Sequence, residues 1–553
     1  MQRLALATLS SLAVGTLTLA AAQAADTSST YDVVIRNGRV LDGLGNPWIN
    51  ADVAVANGRI AAVGKIAAKG RKEIDARGLY VSPGWIDMMD QSGEVLRTEG
   101  RAENKLLQGV TTAIAGEGGT PVAAAEIPAY FAQLERQGIS LNFGSYYGTS
   151  QARVAVMGDG AGTPTPEQLE KMKALVATAM RGGAIGVATA LIYPPDSFQS
   201  TNDLVELSKV AASCGGIYAS HMRDESAGLL TAIGESIEIG ERAGIPIEIF
   251  HLKGAYQPGW HQLMPQAIAQ VDAARERGVD IAADMYLYEA GGTGLDITVP
   301  SWVFEGGLKE GLKKLKSPKV RERLKREVAA GSMPGWSNLV HSSGGWDRVV
   351  LANAFNPKYD RFHNQSLAAI GKALKRDPAD VAWDIVIEAQ PNRAMALYFM
   401  MDEKDIETAL RTPWVSLGSD ASASAKLNET DALGLPHPRS YGNFPRLIAE
   451  YVRKRGVLTL PDAIRKMTSW PATRMRQFDR GAIRTGLWAD ITVFDYDRIQ
   501  DRATYQNPTA TAEGIQYVVV NGQVVVAEGR HTGAKPGVTL KSSGCSAERD
   551  QAS

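Results

Sequence analysis

Apolar and polar positions alternate singly from Tyr31 to about Ile74. Asp32-Val33-Val34-Ile35-Arg36 runs into Asn37-Gly38, and Asp52-Val53-Ala54-Val55 into Asn57-Gly58. Single alternation sends successive side chains to opposite faces of a strand, and Asn-Gly between such runs predicts a tight hairpin. The same texture returns in Ala489-Asp490-Ile491-Thr492-Val493-Phe494 and in Tyr517-Val518-Val519-Val520-Asn521-Gly522. The two ends, residues 25–80 and 481–535, are expected to pair into one small discontinuous β-domain.

Between them the rhythm changes. Short apolar runs, too short for helices, alternate with longer helical stretches. The runs are Tyr80–Met88, Val110–Ala115, Ser140–Tyr147, Ala184–Ala190, Gly216–Ser220, Pro246–Phe250, Val279–Tyr286 and Trp414–Ser419. Such alternation predicts an α/β fold with a parallel sheet and crossover helices, and eight runs favour a closed (β/α)8 TIM-like barrel over residues 81–480. A long stretch separates the last two runs. Within it Leu308–Ala330 is dense in Lys, Arg and Glu at helical spacing, which predicts a solvated helix face and a helical insertion near 300–345, beside the mouth, where a lid would sit. Residues 536–553 read as a polar tail.

The first residues break the pattern. Met1-Gln2-Arg3, an apolar run from Leu4 to Ala21 and the small-x-small Ala22-Gln23-Ala24 have the layout of a secretory signal peptide spanning residues 1–24. The mature chain is expected to be periplasmic or secreted, with no membrane association after cleavage. The composition of the 553-residue chain is ordinary, and its net charge of −1 offers no field for nucleic acid. Two cysteines, Cys214 and Cys545, exclude a disulfide framework.

The candidate chemistry lies at strand ends. Two of only seven histidines close successive runs, in Gly216-Ile217-Tyr218-Ala219-Ser220-His221 and Pro246-Ile247-Glu248-Ile249-Phe250-His251, and Gly418-Ser419-Asp420 closes the last. A single histidine after a strand is more often a hydrogen-bonded polar residue than a ligand, and Gly-Ser-Asp is often a helix cap. Two histidines and an aspartate at the same ends of parallel strands, however, can converge on one metal ion and one water.

Several longer motifs carry a family resemblance. Pro83-Gly84-Trp85-Ile86-Asp87, Ser220-His221-Met222-Arg223-Asp224-Glu225, His251-Leu252-Lys253, Gly418-Ser419-Asp420, His437-Pro438-Arg439-Ser440-Tyr441-Gly442, Lys466-Met467-Thr468-Ser469-Trp470-Pro471-Ala472 and Gly486-Leu487-Trp488-Ala489-Asp490 resemble, in order, the D-aminoacylase branch of the amidohydrolase superfamily. The resemblance implies a zinc-dependent hydrolase of small-molecule amides, N-acyl-D-amino acids foremost. Asp420 would be general base and then general acid, and a metal contact. The substrate carboxylate would fall to Arg223, Lys253, Tyr288, Arg439 and Ser440.

Two departures bear on the metal. Where the family carries His-x-His after the first strand, this chain has Met89-Asp90-Gln91. Where it carries Gly-Asn-Cys-Gly after the second, this chain has Gly116-Glu117-Gly118-Gly119. Methionine and glutamine are poor ligands for a hard or borderline dication. The expected site is therefore one ion, zinc or another divalent metal, on Glu117, His221 and His251. Two other outcomes stay open: hydrolysis of a different amide (a dipeptide, cyclic amide or toxin), and a non-catalytic exported binding protein. The oligomeric state is not encoded in any motif.

Overall fold

A computed structural model describes residues 31–333, 335–430 and 434–542. The expected signal peptide and the last eleven residues of the expected tail lie outside the described residues.

Eight short strands run parallel and pair in chain order: β1 (Trp85–Asp90), β2 (Val110–Ala115), β3 (Asn142–Ser145, continued by Tyr147–Gly148), β4 (Gly186–Ala190), β5 (Ile217–His221), β6 (Ile247–Ile249), β7 (Ile281–Met285) and β8 (Val415–Leu417). Both faces of each strand are buried, which is why the runs are mainly apolar without single alternation. Helices such as Ile127–Gln137, Thr201–Ser213 and Leu229–Ala243 fill the connections. Where β8 ends, Asp420 N–H donates to the Met89 carbonyl at 2.9 Å, and Asp90 and Ala421 form an isolated parallel bridge. The last strand thus meets the first.

A fully buried lysine ties that meeting point together. Lys105 Nζ lies 3.0 Å from Asp87 Oδ2 and 2.8 Å from Asp90 Oδ2, and donates to Ser419 Oγ and the Ala421 carbonyl at 2.8 and 2.6 Å. Asp87 also accepts from Ser419 N–H at 2.8 Å. A buried ammonium is tolerable only when acceptors surround it, as here.

The two chain ends share one sheet. Tyr80–Pro83 pairs antiparallel with Ile491–Phe494 and parallel with Tyr31–Val40, and the sheet continues through Ile49–Ala56 and Arg59–Gly64 on one side and Ile515–Val520 and Gln523–Ala527 on the other. The expected Tyr80–Met88 strand is therefore two strands in different sheets. Gly84 is the corner between them, because any Cβ there would collide with the Thr111 side chain. Asn57-Gly58 and Asn521-Gly522 form the expected hairpins, all four residues at positive φ. Asn37-Gly38 does not: it is a bulge inside Tyr31–Val40, with Asn37 at φ 58° and its N–H donating to Asp52 Oδ1.

The insertion between β7 and β8 is larger and less helical than its charge pattern suggests. It contains an antiparallel sheet of Ala290–Gly294, Met395–Phe399 and Val349–Asn353, with helices Leu308–Leu315, Pro318–Ala330, Leu339–Ser343, Leu367–Leu374 and Pro378–Glu388 around its own apolar core. The Leu308–Ala330 charge run is two helices broken at Ser317-Pro318, with Leu315, Leu324 and Val328 turned inward.

The first seven residues of the expected polar tail are docked. Phe143 N–H donates to the Val538 carbonyl, Leu540 N–H donates to the Phe143 carbonyl, and Leu540 packs beneath Ile114, Ile185 and Ile217. Alternating Val538 and Leu540 are enough to seat the strap. Cys214 is disulfide-bonded, and no free cysteine is found among the described residues.

Candidate active site

Three side chains converge at the carboxyl ends of β2, β5 and β6. Glu117 sits in a glycine turn after β2. Gly116 takes φ 108°, and a Cβ there would come within 2.7 Å of the Tyr146 carbonyl, so only glycine lets the turn lie against β3. His221 ends β5. His251 follows β6 at φ 36°, a strained value for a residue with a side chain, of the kind concentrated at functional sites. Glu117 Oε1 is 2.7 Å from His221 Nδ1 and 3.1 Å from His251 Nε2. The two imidazoles stand nearly perpendicular, their centroids 4.5 Å apart. Among the described residues this is the one group whose ligand atoms all lie within 4.8 Å of one another.

The donor set fits a divalent ion. Two imidazoles and one carboxylate, buried yet bordering a cavity, leave room for water or substrate as a further ligand. Burial alone would raise the Glu117 carboxyl, but hydrogen bonds and charge from the two histidines outweigh it and hold it well below its ordinary range. His251 shows the reverse balance. Burial and Lys253 push its pKa down, yet the Glu225 and Glu117 carboxylates win and raise it to about 10. This cluster is built to hold positive charge.

Glu225 supports it from behind. Its Oε1 is 2.9 Å from His251 Nδ1 and 2.6 Å from Lys253 Nζ. The carboxylate beside Nδ1 orients the ring so that Nε2 faces Glu117. His251 N–H is anchored in turn on Asp284 Oδ1 at 2.9 Å. Glu225 is absent from the sequence-derived candidates. The signal was present, since it lies four residues after His221 in the same motif.

The cluster borders a cavity of about 510 Å³ lined by Gln91, Glu117, His221, Glu225, Lys253, Tyr286, Asp420 and Arg439, and by Leu339, Arg393, Met395 and Met400 from the insertion. Asp420 does not join the ligand cluster as expected. It takes φ 48°, and its Oδ2 pairs with Arg439 Nη1 at 2.7 Å. Arg439 is buried and stacks over the Tyr286 ring at 4.7 Å.

The amidohydrolase family's sequence profile matches residues 72–526. The chain belongs to that family. This amidohydrolase is 31% identical over 515 residues to an N-acyl-D-glutamate deacylase of Alcaligenes xylosoxydans xylosoxydans, covering 89% of the chain and 93% of the relative. It is 31% identical over 535 residues to a D-aminoacylase of the same organism, covering 93% and 98%. The crystal structure of N-acyl-D-glutamate deacylase from Bordetella bronchiseptica, complexed with zinc and a phosphonate mimic of the tetrahedral intermediate, superposes with a TM-score of 0.75 at 29% identity, over 93% of this chain and all of that one.

Three expected substrate contacts do not line the amidohydrolase's cavity. Arg223 points away, its guanidinium committed to Glu235 at 2.9 and 3.0 Å and to the carbonyls of Ser197 and Gln199. Tyr288 packs in the wall against His437 and Tyr505, under the Arg446 guanidinium. Ser440 is buried behind the wall, where its carbonyl accepts from Asn104 and Gln108. Lys253 and Arg439 do border the cavity. Tyr286, Tyr193 and Arg393 also line it and were not among the candidates: Tyr286 ends the Val279–Tyr286 run, Tyr193 lies in a loop with no periodicity, and Arg393 belongs to the insertion.

Proposed function

We propose that this protein is a periplasmic or secreted deacylase that hydrolyses the C–N amide bond of N-acyl-D-amino acids, with one zinc ion per chain in the mouth of a closed eight-stranded barrel. The observation that carries this reading is the position of Glu117 Oε1 between the nitrogens of His221 and His251 at the edge of the cavity. Glu117, His221 and His251 would hold a zinc ion, which would supply Lewis acidity and make a bound water more acidic.

The chain's own groups account for the rest. Asp420 takes the proton of the attacking water and returns it to the departing nitrogen. Arg439 fixes one oxygen of Asp420, which leaves the other to carry that proton. Arg439 and Arg393 are the cavity-lining arginines that can meet the substrate's α-carboxylate. With those two given to the α-carboxylate and Lys253 paired with Glu225, the lining holds no further cation for an acidic side chain, while Ile192, Leu339, Met395 and Met400 make much of the wall apolar. Apolar side chains are therefore the preferred substrates over acidic ones.

The test is a panel of N-acyl-D- and N-acyl-L-amino acids, apolar and acidic, against protein of measured zinc content. Turnover of N-acyl-D-leucine or -methionine, with about one zinc per chain, is the expected result. A zinc-loaded protein inert toward the whole panel would discard the deacylase reading.

A further inference from the structure

Gln91 occupies a position that the mechanism leaves without a task. Its side-chain Nε2 donates to Glu117 Oε2 at 2.7 Å, while the other oxygen of the same carboxylate, Oε1, faces both histidines. The orientation of the amide is fixed by chemistry, since a carboxylate that only accepts must meet the NH2 end. The two oxygens of Glu117 are thus divided, one to the glutamine and one to the cluster.

Glu117 needs such a brace. Its turn reads Gly116-Glu117-Gly118-Gly119, and a Cβ on Gly118 would meet nothing within 4 Å. No side chain of the turn itself packs behind the carboxylate, and glycine-rich backbone is costly to hold in one conformation. Gln91, by contrast, stands on rigid ground. Its N–H donates to the Ala421 carbonyl at 3.2 Å, and neighbouring Asp90 is held by buried Lys105. A neutral donor is also the right kind. An arginine or lysine here would neutralise Glu117, whereas an amide steers it and leaves its full negative charge for a cation.

We propose that Gln91 is a positioning residue that pins Glu117 Oε2, so that Glu117 presents Oε1 as a single-oxygen ligand beside His221 and His251. The proposal rests on the reading that these three residues hold the ion. It gives Gln91 a function in place of direct ligation. Partners that orient a metal ligand typically contribute about ten- to a hundredfold in metal affinity.

The test is a double-mutant cycle on zinc affinity, measured by competition with a chromophoric chelator on metal-stripped full-length protein. The proteins are wild type, Gln91→Leu, Glu117→Ala and the double variant. Gln91→Leu is expected to weaken zinc binding by about ten- to a hundredfold in the wild-type background, and by less than about threefold once Glu117 is alanine, because its partner is gone. An unchanged affinity for Gln91→Leu, or an equal loss in both backgrounds, would overturn the proposal. Wild-type protein that takes up no zinc would overturn the metal reading and the proposal together. If Gln91→Leu does not fold, Gln91→Met, which keeps the length and loses the donor, carries the cycle.

Discussion

Asp420 Oδ2 lies 2.7 Å from Arg439 Nη1, so the residue assigned to proton transfer is gripped by a residue assigned to the substrate's carboxylate. The two roles are coupled through one ion pair, and variants should separate them. Asp420→Asn keeps the shape and removes the basic oxygen. It is expected to lower kcat by about a hundred- to ten-thousandfold with KM little changed. Arg439→Ala is expected to raise KM and also to lower kcat, because Asp420 loses its orienting partner. Steady-state kinetics on the preferred N-acyl-D-amino acid decide it. An Asp420→Asn enzyme near the wild-type rate would remove Asp420 from the chemistry.

Glu225 touches His251 and Lys253 at once. Both contacts are to Oε1, which Glu225→Gln keeps as an amide oxygen, but the variant loses the negative charge that holds His251 and Lys253. Zinc affinity is expected to fall by about ten- to a hundredfold, with the apo protein still folded. Chelator competition measures the first and circular dichroism the second. Equal affinities would reduce Glu225 to a packing residue.

Lys105 joins Asp87 and Asp90 with no solvent access to any of the three side chains. Lys105→Met leaves two buried carboxyls facing a methyl group, a change of the kind that costs about 3–5 kcal/mol. Urea unfolding should show that loss. Adding Asp87→Asn and Asp90→Asn should recover part of it, since the uncompensated charges are then gone. A single variant as stable as wild type would mean the cluster carries no net interaction.

Asp196 is buried, and burial raises its carboxyl to about 7 despite bonds from Ser150 and Gln199. Its folded pKa therefore exceeds its unfolded value near 4, so the folded state holds the proton more tightly between those pH values. Stability from this group is full below about pH 4 and is lost as pH rises to 7. Asp196→Asn cannot ionise. It should match wild type near pH 4 and exceed it at pH 8, by up to about 4 kcal/mol for a shift of three units. Denaturant titrations of both proteins at the two pH values test the sign. A constant difference would place Asp196 in contact with water.

The strands were legible because β4 to β7 are buried on both faces and read as short, mainly apolar runs, interrupted only by Thr189, Ser220, Glu248 and Asp284 before their ends. The histidines were legible because each ends such a run. Other features resisted for physical reasons. Gly84 divides a mainly apolar segment at a point where any Cβ would meet Thr111, which no periodicity encodes. Ala290–Gly294 is a strand of mostly glycine, and its side chains give no alternation to read. The two histidines could be proposed from their strand ends and Glu117 from its place beside the family's cysteine position, but the division of Glu117 between Gln91 and the histidines is a three-dimensional fact. Arg223 was misplaced because sequence proximity to His221 says nothing about which way a loop side chain turns, and Glu235 claims it.

The sheet shared by the two ends of the described chain has a consequence in time. Ser82 and Thr492, paired across it, lie 410 positions apart. A chain that emerges in order must carry Tyr80–Pro83 as an open edge through the synthesis of the whole enzyme body. Unpaired edges recruit other strands, and pairings this distant form slowly. Assembly of this sheet should therefore be the last and slowest folding event, and the period in which the protein is most exposed to aggregation.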